Sequence, residues 1–240
     1  MYCIDTHIHL QDFNSDFAPK VLSDENCLKL IVVSSCEKDF ASVSKLIDEA
    51  KYKVVGAFGV HPWYIKDDLG FEKLEECLLQ YPKALVGEIG VDGIRNPTDL
   101  RQHRVFSEQL FIAKKYNRPV ILHGAKAFEA LKEHKNELDG LKFVYHGFTK
   151  NREIIKFVNS LGGYFGIGKM FLRQNEAFEM INEMPFNKIL FETDAPFQIK
   201  DENYLNDRES YLENLIKLYH NFDGDFSEQL ISNALEFMQC

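Results

Sequence analysis

Pro119-Val120-Ile121-Leu122-His123 is a short apolar, β-branched run that ends on a histidine. A run this brief, opened by proline and closed by a polar side chain, reads as a strand rather than a helix. No polar residue alternates along it, so both faces of the strand should be covered, as in a parallel sheet wrapped by helices. The same grammar recurs along the chain. Strands are predicted at Tyr2–Thr6, Leu28–Ser34, Val54–Val60, Ala84–Ile89, Val120–Leu122, Phe143–Tyr145, Tyr164–Ile167 and Ile189–Thr193. Amphipathic helices are predicted between them. Over Thr98–Tyr116, for example, Phe106, Leu110 and Ala113 fall on one face. Tyr211, Leu215 and Leu218 repeat that spacing, and a last helix near Ser227–Met238 is expected against the outside of the barrel. Gly, Pro and Asn mark the joins, as at Asn96-Pro97 and Gly162-Gly163. Eight such units in 240 residues predict one α/β domain over 1–240, a (β/α)8 TIM barrel.

Composition narrows the function classes. The formal charge of −9 argues against a protein that coats nucleic acid with a broad basic face. It leaves room for an enzyme whose bound cations supply local positive charge. No apolar run approaches the length of a membrane span, and the Met1–His7 segment has no export pattern, so a cytoplasmic location is expected. The cysteines (Cys3, Cys27, Cys36, Cys77, Cys240) include no CxxC pair and are odd in number, which fits a reducing compartment.

The chemistry-bearing residues gather at predicted strand ends. His7-Ile8-His9 puts two imidazoles on one side of an extended segment, a spacing that suits two ligands to one cation. Asp5 and Thr6 stand where either could orient an imidazole by a hydrogen bond. Glu88 ends the fourth strand, His123 the fifth and His146 the sixth, and Asp194 follows the eighth. A barrel brings the C-terminal ends of its strands to one mouth, so His7, His9, Glu88, His123, His146 and Asp194 should meet there and hold divalent metal. Taken singly, each histidine reads as a core residue; together they do not. His61 and Trp63 are expected to line the pocket, while His103, His134 and His220 read as surface or packing residues.

This ordered set resembles the TatD-type metal-dependent deoxyribonucleases of the amidohydrolase superfamily. The resemblance runs through Ile4-Asp5-Thr6-His7-Ile8-His9, Gly59-Val60-His61-Pro62, Gly87-Glu88-Ile89-Gly90-Val91-Asp92, Pro119-Val120-Ile121-Leu122-His123, His146-Gly147-Phe148-Thr149 and Glu192-Thr193-Asp194-Ala195-Pro196. Gln102, Phe106 and Gln109 also match the family's habit. By that resemblance His7, His9 and Asp194 hold one cation, His123 and His146 a second, and Glu88 bridges the two. The reaction implied is hydrolysis of a DNA phosphodiester, with Asp194 and Glu88 as the catalytic carboxylates and a water activated by two divalent cations (Zn, Mn or Mg). DNA is the implied substrate, with no protein partner and a monomeric chain. The sequence departs from the family where Ala125 replaces an arginine, with Lys126 beside it. Gly93-Ile94 replaces an aromatic, and Gln198-Ile199-Lys200 follows Phe197 where a second proline is usual.

Lys66, Arg95, Lys126, Lys150, Arg152, Lys169, Arg173 and Lys200 lie in or near the loops on the same side and predict a basic rim, with Lys126, Lys150 and Arg152 as substrate contacts. Two rival readings remain at this point. One is a hydrolase of the same fold acting on an ester or amide of a small metabolite or aminoacyl conjugate, which the missing arginine favours. The other is a metal-bearing scaffold without catalysis.

Overall fold

Leu30 and Val32 pack on one side of their strand and Ile31 and Val33 on the other, which is why that segment is apolar throughout. The structure, a computed structural model, describes residues 1–240 apart from 68, 96, 220, 221 and 240, so the expectation for His220 lies outside the described residues. Eight parallel strands follow one another in sheet order: β1 (Cys3–Ile8), β2 (Cys27–Val33), β3 (Val54–Phe58), β4 (Leu85–Gly90), β5 (Val120–His123), β6 (Phe143–Tyr145), β7 (Tyr164–Ile167) and β8 (Ile189–Phe191). Helices cover the outside, among them Phe40–Glu49, Glu72–Gln80, Arg101–Lys115, Arg152–Ser160 and Tyr204–Leu218. The barrel closes where β1 meets the segment after β8, by an Ile8–Ala195 bridge and the bonds Asp194 N–H to His7 O (2.9 Å) and His9 N–H to Ala195 O (2.8 Å).

Inside the barrel lies one apolar cluster to which every strand contributes: Ile4, Ile31, Val33, Ala57, Leu85, Ile121, Val144, Tyr164 and Leu190. Its floor is the helix Phe226–Phe237, whose Ala234 and Phe237 belong to the same cluster. The Phe237 ring meets that of Tyr164, the first residue of β7, at 5.2 Å. Asn233 Nδ2 donates to the carbonyls of Phe186 and Ile189 at the start of β8. The last helix therefore plugs the N-terminal end of the barrel instead of packing on its outside. Its apolar face is matched to the open end of a ring of side chains, not to the flank of the sheet.

Strand ends differ from expectation for local reasons. β3 stops at Phe58 because the Gln109 side-chain amide takes both polar groups of Val60, accepting from its N–H (2.8 Å) and donating to its carbonyl (3.1 Å). β8 stops at Phe191 because the Asp5 carboxylate takes the N–H of Thr193. β1 and β4 each carry an extra residue relative to a neighbour, between Asp5 and Ile8 and between Val86 and Ile89. Such bulges rotate the following side chains onto the other face. Ile4 and Leu85 point into the barrel, yet Ile8 and Ile89 pack on the outer side, so His7, His9 and Glu88 are turned inward at the mouth. β5 and β6 need no such correction: His123 follows Ile121, and His146 follows Val144, by one period of two.

Candidate metal centre

All six expected ligands meet. The rings of His7 and His146 stack with centroids 3.7 Å apart, although β7 and β8 stand between β6, which His146 follows, and β1. Glu88 sits between two groups of donors. Its Oε2 lies 3.5 Å from His7 Nε2 and 3.9 Å from His9 Nε2. Its Oε1 lies 2.6 Å from His123 Nδ1 and 3.3 Å from His146 Nε2. Asp194 Oδ1 completes the first group, 3.8 Å from His7 Nε2 and 3.6 Å from His9 Nε2. Asp194 has a left-handed backbone (φ 50°) and is steadied by Gln198 Nε2, which donates to its Oδ2 at 2.9 Å.

For His146 and His123 a carboxylate at the far nitrogen fixes which nitrogen faces the centre. Glu192 Oε1 lies 3.2 Å from His146 Nδ1 and accepts from Gly147 N–H, so His146 turns Nε2 inward. Asp92 Oδ2 lies 2.9 Å from His123 Nε2, so His123 turns Nδ1 inward. Gly166 and Gly168 leave the room that Glu192 occupies, since a Cβ on either would run into it. Asp92 is itself clamped by the Gln102 side chain, which accepts from its N–H at 2.7 Å. In the sequence Asp92 and Glu192 stand only within longer motifs, and their spacing from Glu88 and Asp194 is the signal that marks them. The expectation for Asp5 and Thr6 is corrected. Asp5 accepts from His7 N–H, Thr193 and Tyr204, and Thr6 Oγ1 donates to the Phe191 carbonyl, so neither touches an imidazole. Their backbone leads into the bulge, which turns both side chains away from the site.

The electrostatics describe a centre made for cations. Glu88, Asp92 and Glu192 are buried and Asp194 nearly so, four carboxylates whose charge favours bound cations. Burial opposes ionisation of Glu88, but His146, His61 and His123 outweigh it and hold the carboxyl well below its usual range. Burial likewise opposes charge on His146, yet Glu192 and Glu88 push it up to about 10. Burial, with His7 beside it, drives His9 down to about 3, and burial pushes Asp194 up. His7 Nε2 and His9 Nε2 face each other at 3.1 Å and can share at most one proton, while His7 Nδ1 has no partner. Converging lone pairs and buried acids fit a divalent cation, and His7, His9 and Glu88, like His7, His146 and Asp194, bring ligand atoms within 4.8 Å of one another.

His61 behaves differently. Its Nδ1 accepts from Trp63 N–H at 3.1 Å, and burial drives the ring down to about 3, so the neutral ring carries its proton on Nε2, 3.7 Å from Glu88 Oε1. That nitrogen faces the centre, where His61, Glu88 and His123 bring ligand atoms within 4.8 Å of one another. A cavity of about 150 Å³ over the ligands is walled by Trp63, Tyr64 and Phe197. A second, of about 500 Å³, opens beside His123, His146 and Asp194 and is lined by Lys126 and Lys150 among apolar residues such as Phe128, Tyr145 and Met170. Arg95 lies over the Trp63 ring at 5.3 Å. Arg152 pairs with Glu183 (2.5 Å) and Glu179 (3.5 Å) and lines neither cavity.

Comparison with known proteins places this arrangement. Residues 4–239 match the family described as TatD related DNase. The chain belongs to that family. It is 31% identical over 210 residues to an uncharacterized metal-dependent hydrolase, YjjV, of Escherichia coli, covering 80% of this chain and 79% of the relative. The crystal structure of that TatD homologue superposes with a TM-score of 0.81 at 27% identity, over 98% of this chain and 97% of the other. A TatD family hydrolase from Entamoeba histolytica shares the fold, with a TM-score of 0.83 at 20% identity over 99% and 98% of the two chains. Family and ligand set together make this TatD-family chain a metal-dependent hydrolase. Among the described residues no helix is long and apolar enough to cross a membrane.

Proposed function

We propose that the chain hydrolyses phosphodiester bonds in DNA, acting as a monomer. The observation that carries the reading is Glu88, whose Oε2 faces His7 and His9 while its Oε1 faces His123, His146 and His61. Two divalent cations, on His7, His9, Glu88 and Asp194 and on Glu88, His123 and His146, would supply the charge that acidifies a water and steadies the phosphoryl oxygens. Asp194, raised by burial and held by Gln198, takes the proton of the attacking water. His61 offers its Nε2 proton to a phosphoryl oxygen. Trp63 and Phe197, both partly exposed at the mouth, give a base an aromatic face. Lys126 and Lys150 receive a neighbouring phosphate in the larger cavity.

A second reading, hydrolysis of an ester or amide in a small molecule, draws on the largely apolar wall of that cavity and on Ala125, where the family's arginine is absent. Cation-loaded enzyme assayed on labelled DNA beside an ester and amide panel separates the two. Cleavage of DNA that disappears in Glu88→Gln supports the proposal. Turnover confined to the panel favours the second reading, and no turnover at all leaves a scaffold.

A further inference from the structure

We propose that Asp5 and Tyr204 are positioning residues that set the spacing of the His7, His9 and Asp194 half of the metal centre, an inference resting on the metal-centre reading above. These three ligands sit on the seam of the barrel, where β1 and the segment after β8 are joined by a single bridge and two backbone bonds instead of a continued ladder. Behind that seam Asp5 is fully buried. Its Oδ1 accepts from His7 N–H (3.3 Å) on one side and Thr193 N–H (3.1 Å) on the other. Its Oδ2 accepts from Thr193 Oγ1 (2.6 Å) and from the Tyr204 hydroxyl (3.0 Å). One carboxylate thus takes donors from residues adjacent to, or identical with, ligands on both sides of the closure. Tyr204, also fully buried, begins the helix Tyr204–Leu218 and returns the loop that carries Phe197 and Gln198. It contacts no ligand and reaches the centre only through Asp5.

The geometry is asymmetric, and so is the expected effect. Nothing in this clasp touches Glu88, His123 or His146, which are set by β4 to β6 and by Asp92 and Glu192. The test is Mn²⁺ titrated calorimetrically into the cation-free chain, with His7→Ala and His123→Ala marking which binding event belongs to which half. Tyr204→Phe and Asp5→Asn should weaken the event lost in His7→Ala by about 10-fold or more and leave the event lost in His123→Ala within about twofold. The Co²⁺ absorption spectrum of the loaded protein should change in the same variants. Equal weakening of both events, or of neither, overturns the proposal. If Asp5→Asn fails to fold, Tyr204→Phe decides alone, since it deletes one hydroxyl. A parent chain that binds no Mn²⁺ overturns the metal centre itself, whereas normal binding in the parent with unchanged variants overturns only the clasp.

Discussion

Replacing Glu192 by glutamine tests how far a carboxylate behind a ligand governs the centre. Glu192 is buried, 3.2 Å from His146 Nδ1, and fills space left by Gly166 and Gly168. At that separation a full ion pair is worth on the order of 5 kcal/mol at an effective dielectric of about 20, before the desolvation of both groups is charged against it. Glutamine keeps the shape and one acceptor oxygen, so what disappears is the charge assistance, about 1–2 kcal/mol. That is about a tenfold loss in cation affinity, given ~1.4 kcal/mol per decade. The loss should appear in Mn²⁺ titration calorimetry of the cation-free protein, confined to the event that His123→Ala abolishes. Affinity unchanged in Glu192→Gln, with its melting temperature also unchanged, would refute the claim that this carboxylate orients and strengthens His146.

Three further outcomes follow from described contacts. Asp194→Asn should lower kcat by about 10²- to 10⁴-fold on whichever substrate is turned over, measured under saturating cation. Lys150→Ala should reduce the salt slope of DNA binding by about one, whereas Arg152→Ala should leave it unchanged because Arg152 is already paired with Glu183. Asp24 gives a pH test: burial opposes its charge, but the Arg208 guanidinium and Asn26 N–H outweigh it and hold its pKa below the ordinary 3.8. Its stabilisation is therefore complete above pH 3.8 and lost as pH falls through the lower folded value. Asp24→Asn should cost on the order of 3 kcal/mol at pH 7, since Arg208 is left buried without its partner, and urea melts should show that gap closing below about pH 4.

The eight-strand pattern, and the meeting of His7, His9, Glu88, His123, His146 and Asp194 at one mouth, were legible because apolar runs ending on histidines or acids are strong signals at fixed places. The bulges were not. Strict alternation from Ile4 would send Thr6 and Ile8 inward, and from Leu85 it would send Gly87 and Ile89, so periodicity alone contradicts the ligand positions that histidine and glutamate identities suggested. An extra residue in a strand depends on its neighbours' register, which no single segment encodes. The pairing of Arg152 was hidden for a related reason: its partners Glu179 and Glu183 lie beyond β7 in sequence, and only packing brings them to it. Gln102 and Gln109 show the reverse case, in which helix residues matched to the family proved to clamp Asp92 and Val60 beside the mouth.

The floor of the barrel bears on synthesis. Residues 189–191, which supply the last strand, are translated after the other seven strands, and 226–237, which supply the plug, come later still. Until they emerge from the ribosome, β1 and β7 are bare edges and the inner ring of Ile4, Ile121 and Tyr164 is open from below. Such a half-built sheet is a template for pairing with other chains. Chaperone demand should therefore be concentrated in the interval between translation of β7 and arrival of Phe237.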